Sequence, residues 1–269
     1  MPELPEMETY RRLLSEKIVG KRITYIEVTR EKSINVEPEK FQQELLGNSV
    51  LSIKRRAKYL LFQLENQKWL LLHLMLGGWL YVGTDADKPN RTFQVIISFG
   101  EQSLYFIGLR LGYLHIYEPA MIEEKLDKLG PEPLDSNFTE ELFLKRLKRK
   151  TGRIKMTLLD QSFVSGIGNC YADEICFDAA ILPVKKGKDL TLEEKKRLFR
   201  SIRTVLEDAI KNGGYMEQPL YQGDSFTGQF DEQCKVYDRG GEPCLRCRHP
   251  IVQEELSGRK VFYCQRCQR

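Results

Sequence analysis

Two Cys-x-x-Cys pairs near the end of this 269-residue chain constrain its fold more than any other feature. Cys244 and Cys247 form one pair, Cys264 and Cys267 form the other, and sixteen residues separate the pairs. This spacing is typical of a tetrahedral zinc site with four thiolate ligands. A thioredoxin-type redox site would use one such pair rather than two. Residues 234–269 are too few to build a core, so we expect a hairpin that one structural Zn²⁺ holds together.

The N-terminus carries a second unusual motif, Pro-Glu-Leu-Pro-Glu at residues 2–6. Removal of Met1 would leave the nitrogen of Pro2 as a secondary amine. An α-amino group has a reference pKa of about 7.7–8.0, so a useful fraction is neutral and nucleophilic at physiological pH. Such an amine can attack a sugar carbon and form an iminium, and Glu3 and Glu6 beside it are suited to proton transfer. The alternative is a disordered Pro/Glu-rich terminus.

The composition argues against a membrane protein and leaves nucleic acid as a candidate partner. Charged residues make up 30% of the chain, and the mean hydropathy is −0.43. The longest apolar stretch, residues 69–82, is interrupted by His73 and two glycines and is shorter than the roughly 20 residues that span a bilayer. The N-terminus is polar and acidic rather than a signal peptide, so we expect a cytoplasmic protein. Basic clusters at 54–58, 145–155 and 246–269 favour phosphate contacts.

The periodicity of apolar residues predicts an α+β multidomain protein. Residues 6–17 carry an apolar stripe at helical spacing. Eight short apolar runs follow, and their number and spacing predict a β-sandwich or barrel. The predicted strands are 23–28, 50–53, 59–64, 69–73, 79–82, 93–99, 103–106 and 112–117.

Beyond a Gly/Pro-rich linker at 128–134 the pattern becomes helical. We predict helices at 139–150, 153–161, 171–179 and 192–212, the last with Thr191 as its N-cap. Two glycines at 164–169 make a turn between helices that can aim backbone N–H groups at an anion. Residues 215–233 show no periodicity and are predicted as a long loop. The predicted domains are therefore 1–127, 128–233 and 234–269.

Five motifs in this order resemble the formamidopyrimidine-DNA glycosylase / endonuclease VIII family of base-excision repair enzymes. The matching segments are 2–6, 55–60 (Arg-Arg-Ala-Lys-Tyr-Leu), 129–134 (Leu-Gly-Pro-Glu-Pro-Leu), 159–169 and 236–268. The resemblance covers nearly the whole chain. It implies an N-terminal catalytic β-sandwich, a helical domain with a helix–two-turn–helix motif, and a C-terminal zinc-ribbon hairpin. It also implies a bacterial, nucleoid-associated monomer that uses no redox cofactor.

The resemblance further implies a bifunctional DNA glycosylase/AP lyase that acts on duplex DNA containing a damaged base or an abasic site. Pro2 would attack C1′ of the damaged nucleotide, Glu3 would act as acid and base, and Lys58 would bind phosphate and aid elimination. Asn169 and Arg259 would hold the phosphates that flank the lesion. Glu6 joins the residues expected at the DNA, and the further DNA contacts implied are His73, Lys150, Lys155 and Tyr237.

The residues expected to fill the gap left by an everted nucleotide depart from the glycosylase pattern. Leu76 stands where the glycosylases have methionine, Leu109 where they have the arginine that reads the orphaned base, and Leu111 where they have a wedge phenylalanine. Arg110 matches the second arginine of that loop. Leucines can fill space but cannot hydrogen-bond a cytosine, so we expect weak discrimination of the opposite base. The loop after Gly213-Gly214 also departs, reading Tyr215-Met216 in place of Thr-Thr.

Two other functions stay open at this stage. Altered wedge residues are compatible with a damage- or abasic-site-binding protein that has lost efficient excision, although such a protein has no need of a free N-terminal amine. A relative specialised for alkylated or bulky bases is the other alternative.

Overall fold

The computed structural model describes residues 1–269 and divides them into two compact units. The first unit comprises residues 1–128 and 212–229, and the second comprises residues 129–211 and 230–269. Segment 212–229 thus groups with the N-terminal residues, and the cysteine-rich tail groups with the helices. The predicted division into three domains differs from this grouping and stays a prediction.

None of the helices combines the length and the apolarity that a bilayer crossing requires.

The first unit is a β-sandwich of two four-stranded antiparallel sheets, with strand orders β1-β6-β7-β5 and β2-β3-β4-β8. All eight predicted strands are present, and the inward side chains of both sheets share one core with α1. The elements are α1 (Leu4–Ile18), β1 (Tyr25–Val28), α2 (Pro38–Leu45), β2 (Val50–Arg56), β3 (Tyr59–Leu64), β4 (Trp69–His73), β5 (Trp79–Gly83), β6 (Phe93–Phe99), β7 (Gln102–Ile107), β8 (Tyr113–Tyr117) and α3 (Pro119–Leu126).

Helices α2 and α3 were not predicted. Each has eight residues and begins with a proline, Pro38 and Pro119, in its first turn. Proline suits the first turn of a helix because its missing N–H would have no helical partner there. Each helix buries only one or two apolar residues. A helix of two turns with so narrow a buried stripe shows no clear periodicity in the sequence.

Two loops that connect the sheets lie side by side because of the strand pairing. Residues 74–78 lead from β4 to β5, and residues 108–112 lead from β7 to β8. Strand β4 pairs with β8 so that His73 faces Tyr113, and β5 pairs with β7 so that Trp79 faces Ile107. Both ends of the two loops are therefore adjacent. The backbones of the two loops are in direct contact, since a β-carbon at Gly108 would overlap the carbonyl oxygen of Gly77.

The second unit contains four α-helices and a two-stranded hairpin. They are α4 (Glu140–Leu147), α5 (Ile154–Leu159), α6 (Asn169–Asp178), α7 (Leu192–Lys211), β9 (Val252–Leu256) and β10 (Arg259–Tyr263). The predicted N-cap of α7 is confirmed, because the backbone N–H of Glu194 donates to Thr191 Oγ1 at 3.2 Å. The backbone N–H of Thr191 in turn donates to the Glu194 carboxylate at 2.8 Å, which completes a capping box.

The turn between α5 and α6 is held by the side-chain amide of Gln161. Its Nε2 donates to the carbonyl oxygens of Leu159 at 3.0 Å and Ile167 at 2.8 Å, and its Oε1 accepts from the backbone N–H of Gly166 at 2.9 Å. One side chain thus hydrogen-bonds three backbone groups in a turn that lacks the regular backbone hydrogen bonding of a helix or sheet. This explains physically why a glutamine stands before the glycine-rich segment.

The contact between the two loops generates a test. We expect Gly108→Ala to lower the free energy of unfolding more than Gly100→Ala, although both glycines have positive φ angles, 70° and 84°. Alanine at either position costs about 1–2 kcal/mol for the left-handed conformation. Only residue 108 adds the overlap with Gly77, for roughly 1–3 kcal/mol more. Urea unfolding of both variants measures the difference, and equal losses would contradict the paired loops.

Candidate active site and metal centre

The four cysteines of the two Cys-x-x-Cys pairs converge as predicted. Their sulfur atoms all lie within 4.8 Å of one another. The Sγ atoms of Cys244 and Cys267 are 3.8 Å apart, and those of Cys247 and Cys264 are 3.5 Å apart. A tetrahedral zinc ion with Zn–S bonds of about 2.3 Å needs sulfur separations of about 3.8 Å. The thiolates therefore fit one structural Zn²⁺, which ties the two ends of the β9–β10 hairpin together.

A buried ion pair attaches this hairpin to the helices. Lys155 on α5 and Asp173 on α6 are both completely buried, and the Lys155 ammonium lies 2.8 Å from the Asp173 carboxylate. The ammonium also donates to the carbonyl oxygen of Lys260 at 2.5 Å, while the backbone N–H of Phe262 donates to Asp173 at 3.1 Å. Burial raises the pKa of Asp173, and the Lys155 ammonium opposes this shift. The pair thus holds β10 through two of its backbone groups, the carbonyl oxygen of Lys260 and the N–H of Phe262.

The prediction that Lys155 contacts DNA is therefore wrong. Its side chain has no exposed surface, and its ammonium is already held by Asp173 and a backbone carbonyl. The basic cluster around residue 150 gave a misleading signal, because a lysine in a charge run is usually solvated. What the residue does is position the strand that begins at Arg259.

Glu174, the next residue of α6, holds the segment that leads into the zinc-binding tail. Its buried carboxylate accepts hydrogen bonds from the backbone N–H groups of Lys235, Val236 and Tyr237 at 2.8–3.0 Å. Burial raises the pKa of Glu174, and the three backbone bonds counteract it. The ring of Tyr237 packs edge-on against Phe262 at 5.5 Å.

Of the remaining predicted residues of the second unit, Asn169 and Arg259 lie at the starts of elements and Lys150 lies in the loop between α4 and α5. Asn169 is the first residue of α6, so its backbone N–H is among those that no helix carbonyl accepts. Arg259 is exposed at the first position of β10. The ammonium of Lys150 lies 2.6 Å from Asp160, with 32% of the lysine side chain exposed. Burial would raise the pKa of Asp160, but hydrogen bonds from Lys150 and Ser162 lower it to about 2.

In the first unit, the N-terminal motif is buried at the start of α1. Pro2, Glu3 and Glu6 are all buried, the two carboxylates with 1% of their surface exposed. Glu6 accepts the backbone N–H of Glu3 at 2.7 Å with one oxygen and that of Tyr215 at 2.9 Å with the other. Both oxygens of Glu6 thus serve the backbone, which supports a structural role rather than the predicted DNA contact. The interpretation of residues 2–6 as a disordered terminus is wrong.

Lys58 lies in the two-residue turn between β2 and β3, beside the start of α1. Arg55 on β2 links the two, because its guanidinium lies 3.0 Å from Glu8 of α1 and also donates to the carbonyl oxygen of Ala57 at 3.4 Å. Glu8 has a lowered pKa because hydrogen bonds and charges of Arg11 and Arg55 outweigh the effect of burial. Lys58 itself is only 6% exposed.

His73 ends β4 at the base of the first loop. Burial, assisted by the positive charge of Lys58, lowers the pKa of His73 to about 4, so the imidazole is neutral at physiological pH. Its Nδ1 accepts the backbone N–H of Met75 at 3.1 Å, and its ring meets that of Tyr59 at 4.6 Å. His73 thus shapes the loop, and direct contact with DNA stays a prediction.

The three leucines of the two loops separate into two kinds. Leu76 and Leu111 are exposed, with 63% and 62% of their surface accessible, and Arg110 is exposed in the second loop, next to Leu111. Leu109 is completely buried in the sandwich core, and its backbone N–H donates to Gln94 at 2.9 Å. The prediction that Leu109 stands in the gap at the DNA is therefore wrong. Leu76 and Leu111, which are exposed on adjacent loops, remain the candidates for insertion into the DNA duplex.

Models of three formamidopyrimidine-DNA glycosylase domains match consecutive parts of the chain. The N-terminal domain matches residues 1–113, the H2TH domain residues 129–218, and the zinc finger found in FPG and IleRS residues 241–269. Relatives named formamidopyrimidine-DNA glycosylase align over the full chain. The one from Carboxydothermus hydrogenoformans is 35% identical, with both chains fully covered. The one from Pelotomaculum thermopropionicum is 37% identical, covering all of this chain and 99% of the relative.

This chain belongs to the formamidopyrimidine-DNA glycosylase family. The resemblance drawn from the motifs is thereby confirmed. A crystal structure of a Lactococcus lactis FPG mutant with Fapy-dG-containing DNA is similar, with a TM-score of 0.93, 34% identity and full coverage of both chains. A Lactococcus lactis Fpg complex with DNA containing an abasic site has a TM-score of 0.92 and 33% identity over 99% of both chains.

The family pattern did not reveal every residue that shapes the site. Glu8, Asp173 and Glu174 position functional segments through buried or half-buried contacts, and no motif spacing pointed to them. Tyr215 was noticed only as a departure from the usual loop. Its contact with the N-terminus could have been suspected only from that departure.

The metal centre generates a test. We expect Cys264→Ser to lower the zinc content below one ion per chain. DNA binding should also weaken, because the metal no longer ties together the two ends of the hairpin that carries Arg259. Cys234→Ser is the matched control, since Cys234 is also buried but lies outside the four-sulfur cluster. Zinc is measured by inductively coupled plasma mass spectrometry and affinity by fluorescence anisotropy. Full zinc occupancy with normal affinity in Cys264→Ser would refute the structural role of the metal.

Proposed function

We propose that this protein is a bifunctional DNA glycosylase/AP lyase that excises damaged bases from duplex DNA through its N-terminal proline. The observation that carries this proposal is the buried, hydrogen-bonded start of α1, which holds Pro2 and Glu3 beside the Lys58 turn through the Glu8–Arg55 ion pair. A fixed N-terminus with carboxylates and a cation nearby suits an amine nucleophile. Family membership supports the same activity.

The chemistry requires a free Pro2 amine after Met1 is removed. Its nitrogen lone pair forms a bond to C1′ of the damaged nucleotide, and the bond between C1′ and the base breaks with the base leaving in protonated form. Loss of the ring C–O bond at C1′ gives an iminium, with Glu3 transferring the protons that these steps need. The iminium acidifies the C2′ proton, so its removal expels the 3′ phosphate by β-elimination. A second elimination can release the sugar from the 5′ phosphate.

Cations and backbone N–H groups would stabilise the departing phosphate charges. Lys58 is the candidate in the first unit, and Asn169 and Arg259 are the candidates in the second. Lys150 is a further candidate, although Asp160 competes for its ammonium. The zinc ion takes no part in these steps, because four thiolates complete its coordination and leave no open position.

Eversion of the nucleotide costs a few kcal/mol, which contacts in the vacated gap must offset. The exposed side chains of Leu76 and Leu111 suit this role because they can bury apolar surface against the flanking bases. Neither can hydrogen-bond an orphaned base, so discrimination of the opposite base falls to Arg110 or is weak. The substrate class is therefore a damaged base in duplex DNA, with the lesion left open. We propose that the protein acts as a monomer in the bacterial cytoplasm, at the nucleoid.

The role of Pro2 predicts a specific loss of covalent chemistry. We expect Pro2→Gly to reduce borohydride trapping on abasic-site DNA roughly 100-fold or more, and a Gly-Ser extension before Pro2 to abolish it, while affinity for the DNA stays nearly intact. The same extension at the C-terminus is the control. Unchanged trapping in the N-terminally extended protein would refute Pro2 as the nucleophile. Binding without trapping in the unmodified protein would favour a damage-binding function instead.

The exposed leucines predict a defect that depends on DNA stacking. We expect the Leu76→Ala/Leu111→Ala double variant to excise a duplex lesion about 10- to 100-fold more slowly, because it loses part of the few kcal/mol that eversion requires. The same lesion in single-stranded DNA should be less affected. Leu46→Ala is the control, since Leu46 is 53% exposed but lies at the end of α2. Equal slowing on both substrates would contradict a wedge role.

A further inference from the structure

The hydroxyl of Tyr215 lies against the N-terminal residue. It donates to the carbonyl oxygen of Met1 at 3.2 Å and accepts from the N-terminal ammonium at 3.5 Å. The Met1 carbonyl carbon is bonded to the Pro2 nitrogen. Standard peptide geometry therefore puts the phenol oxygen no more than about 5.5 Å from the atom that becomes the free amine.

Backbone contacts fix where Tyr215 stands. Its N–H donates to Glu6, whose other carboxylate oxygen accepts the N–H of Glu3. Gly214 precedes it with a φ of 77°, and a β-carbon there would overlap the Glu6 carboxylate. Glycine is therefore required at 214 both for its conformation and for the close approach. The same carboxylate thus orients the start of α1 and the tyrosine that faces it.

The rest of segment 212–229 is an ordered, packed loop. Asp224 accepts hydrogen bonds from the backbone N–H groups of Leu220, Phe226 and Thr227 at 2.8–3.1 Å. The loop also joins the sandwich, because the N–H of Val82 donates to the carbonyl oxygen of Leu220 at 2.7 Å. Tyr215 is thus held by a rigid support, which is what a residue that orients a reacting group needs.

We propose that Tyr215 is a positioning residue for the Pro2 nucleophile. Once Met1 is gone, the phenol oxygen accepts the N–H of the secondary amine, which directs the nitrogen lone pair away from Tyr215 and toward C1′. This inference rests on the proposed function of Pro2. A threonine at this position, as in the usual glycosylase loop, has a side chain several ångströms shorter and cannot make the same contact from the same backbone. The tyrosine that stands here in place of threonine therefore gives this chain a positioning contact that the usual loop lacks.

The experiment compares Tyr215→Phe with the unmodified protein in single-turnover borohydride trapping on abasic-site duplex DNA, over a range of protein concentrations. Intact mass spectrometry first establishes that Met1 is absent from each protein. We expect the saturating rate of Tyr215→Phe to fall about 10-fold, since small misplacements of a nucleophile are costly, while the half-saturating concentration changes less than about twofold. Tyr221→Phe, in the same loop but with its ring under the Lys17 ammonium at 3.5 Å, is the control.

A merely structural tyrosine would lower thermal stability or DNA affinity and leave the saturating rate unchanged, and that result would overturn the proposal. A change in half-saturation alone would also overturn it, because Tyr215 would then be a DNA contact. A saturating rate in Tyr215→Phe that equals the rate of the unmodified protein refutes only this inference. Absence of any adduct from the unmodified protein refutes the proposed function of Pro2 itself, and the inference with it.

Discussion

The buried carboxylate of Glu6 is the interaction on which the proposed active site depends. Its two oxygens accept backbone N–H groups from Glu3 and Tyr215, and so join residues more than 200 positions apart in the chain. A buried carboxylate without such partners would cost several kcal/mol, so the backbone must stay where it satisfies the charge. The N-terminus, which in most proteins is mobile, is thereby ordered. An amine nucleophile at the chain end requires that order.

A second buried charge organises the other unit in the same manner. Lys155 and Asp173 gain little net stability from their attraction, because both ions lose their hydration. Removing one partner, however, leaves an uncompensated charge, so the pair specifies one arrangement of α5, α6 and β10. The zinc ion closes the other end of the hairpin. Arg259 is presented by a strand that is held both by metal and by a buried ion pair.

Much of the architecture could be predicted from local patterns. The eight strands follow from alternating apolar runs, and the zinc centre follows from thiolate spacing, because both signals depend only on nearby residues. Helices α2 and α3 escaped prediction because two turns with one or two buried residues carry almost no periodicity. Lys155 was misassigned because a lysine in a basic run looks the same whether its ammonium meets solvent or a buried aspartate.

The amino-acid sequence already sets the chemistry available to this protein: a proline that can become a terminal amine, acidic and basic residues near it, and four thiolates for zinc. These depend on residue identity and short spacing. The exposure of Leu76, Leu109 and Leu111, in contrast, is set by the three-dimensional fold, because exposure in a loop between the sheets depends on the pairing of β4 with β8 and of β5 with β7. The fold alone brings Tyr215 to the N-terminus, since the buried Glu6 carboxylate that holds its backbone N–H lies more than 200 positions away in the chain.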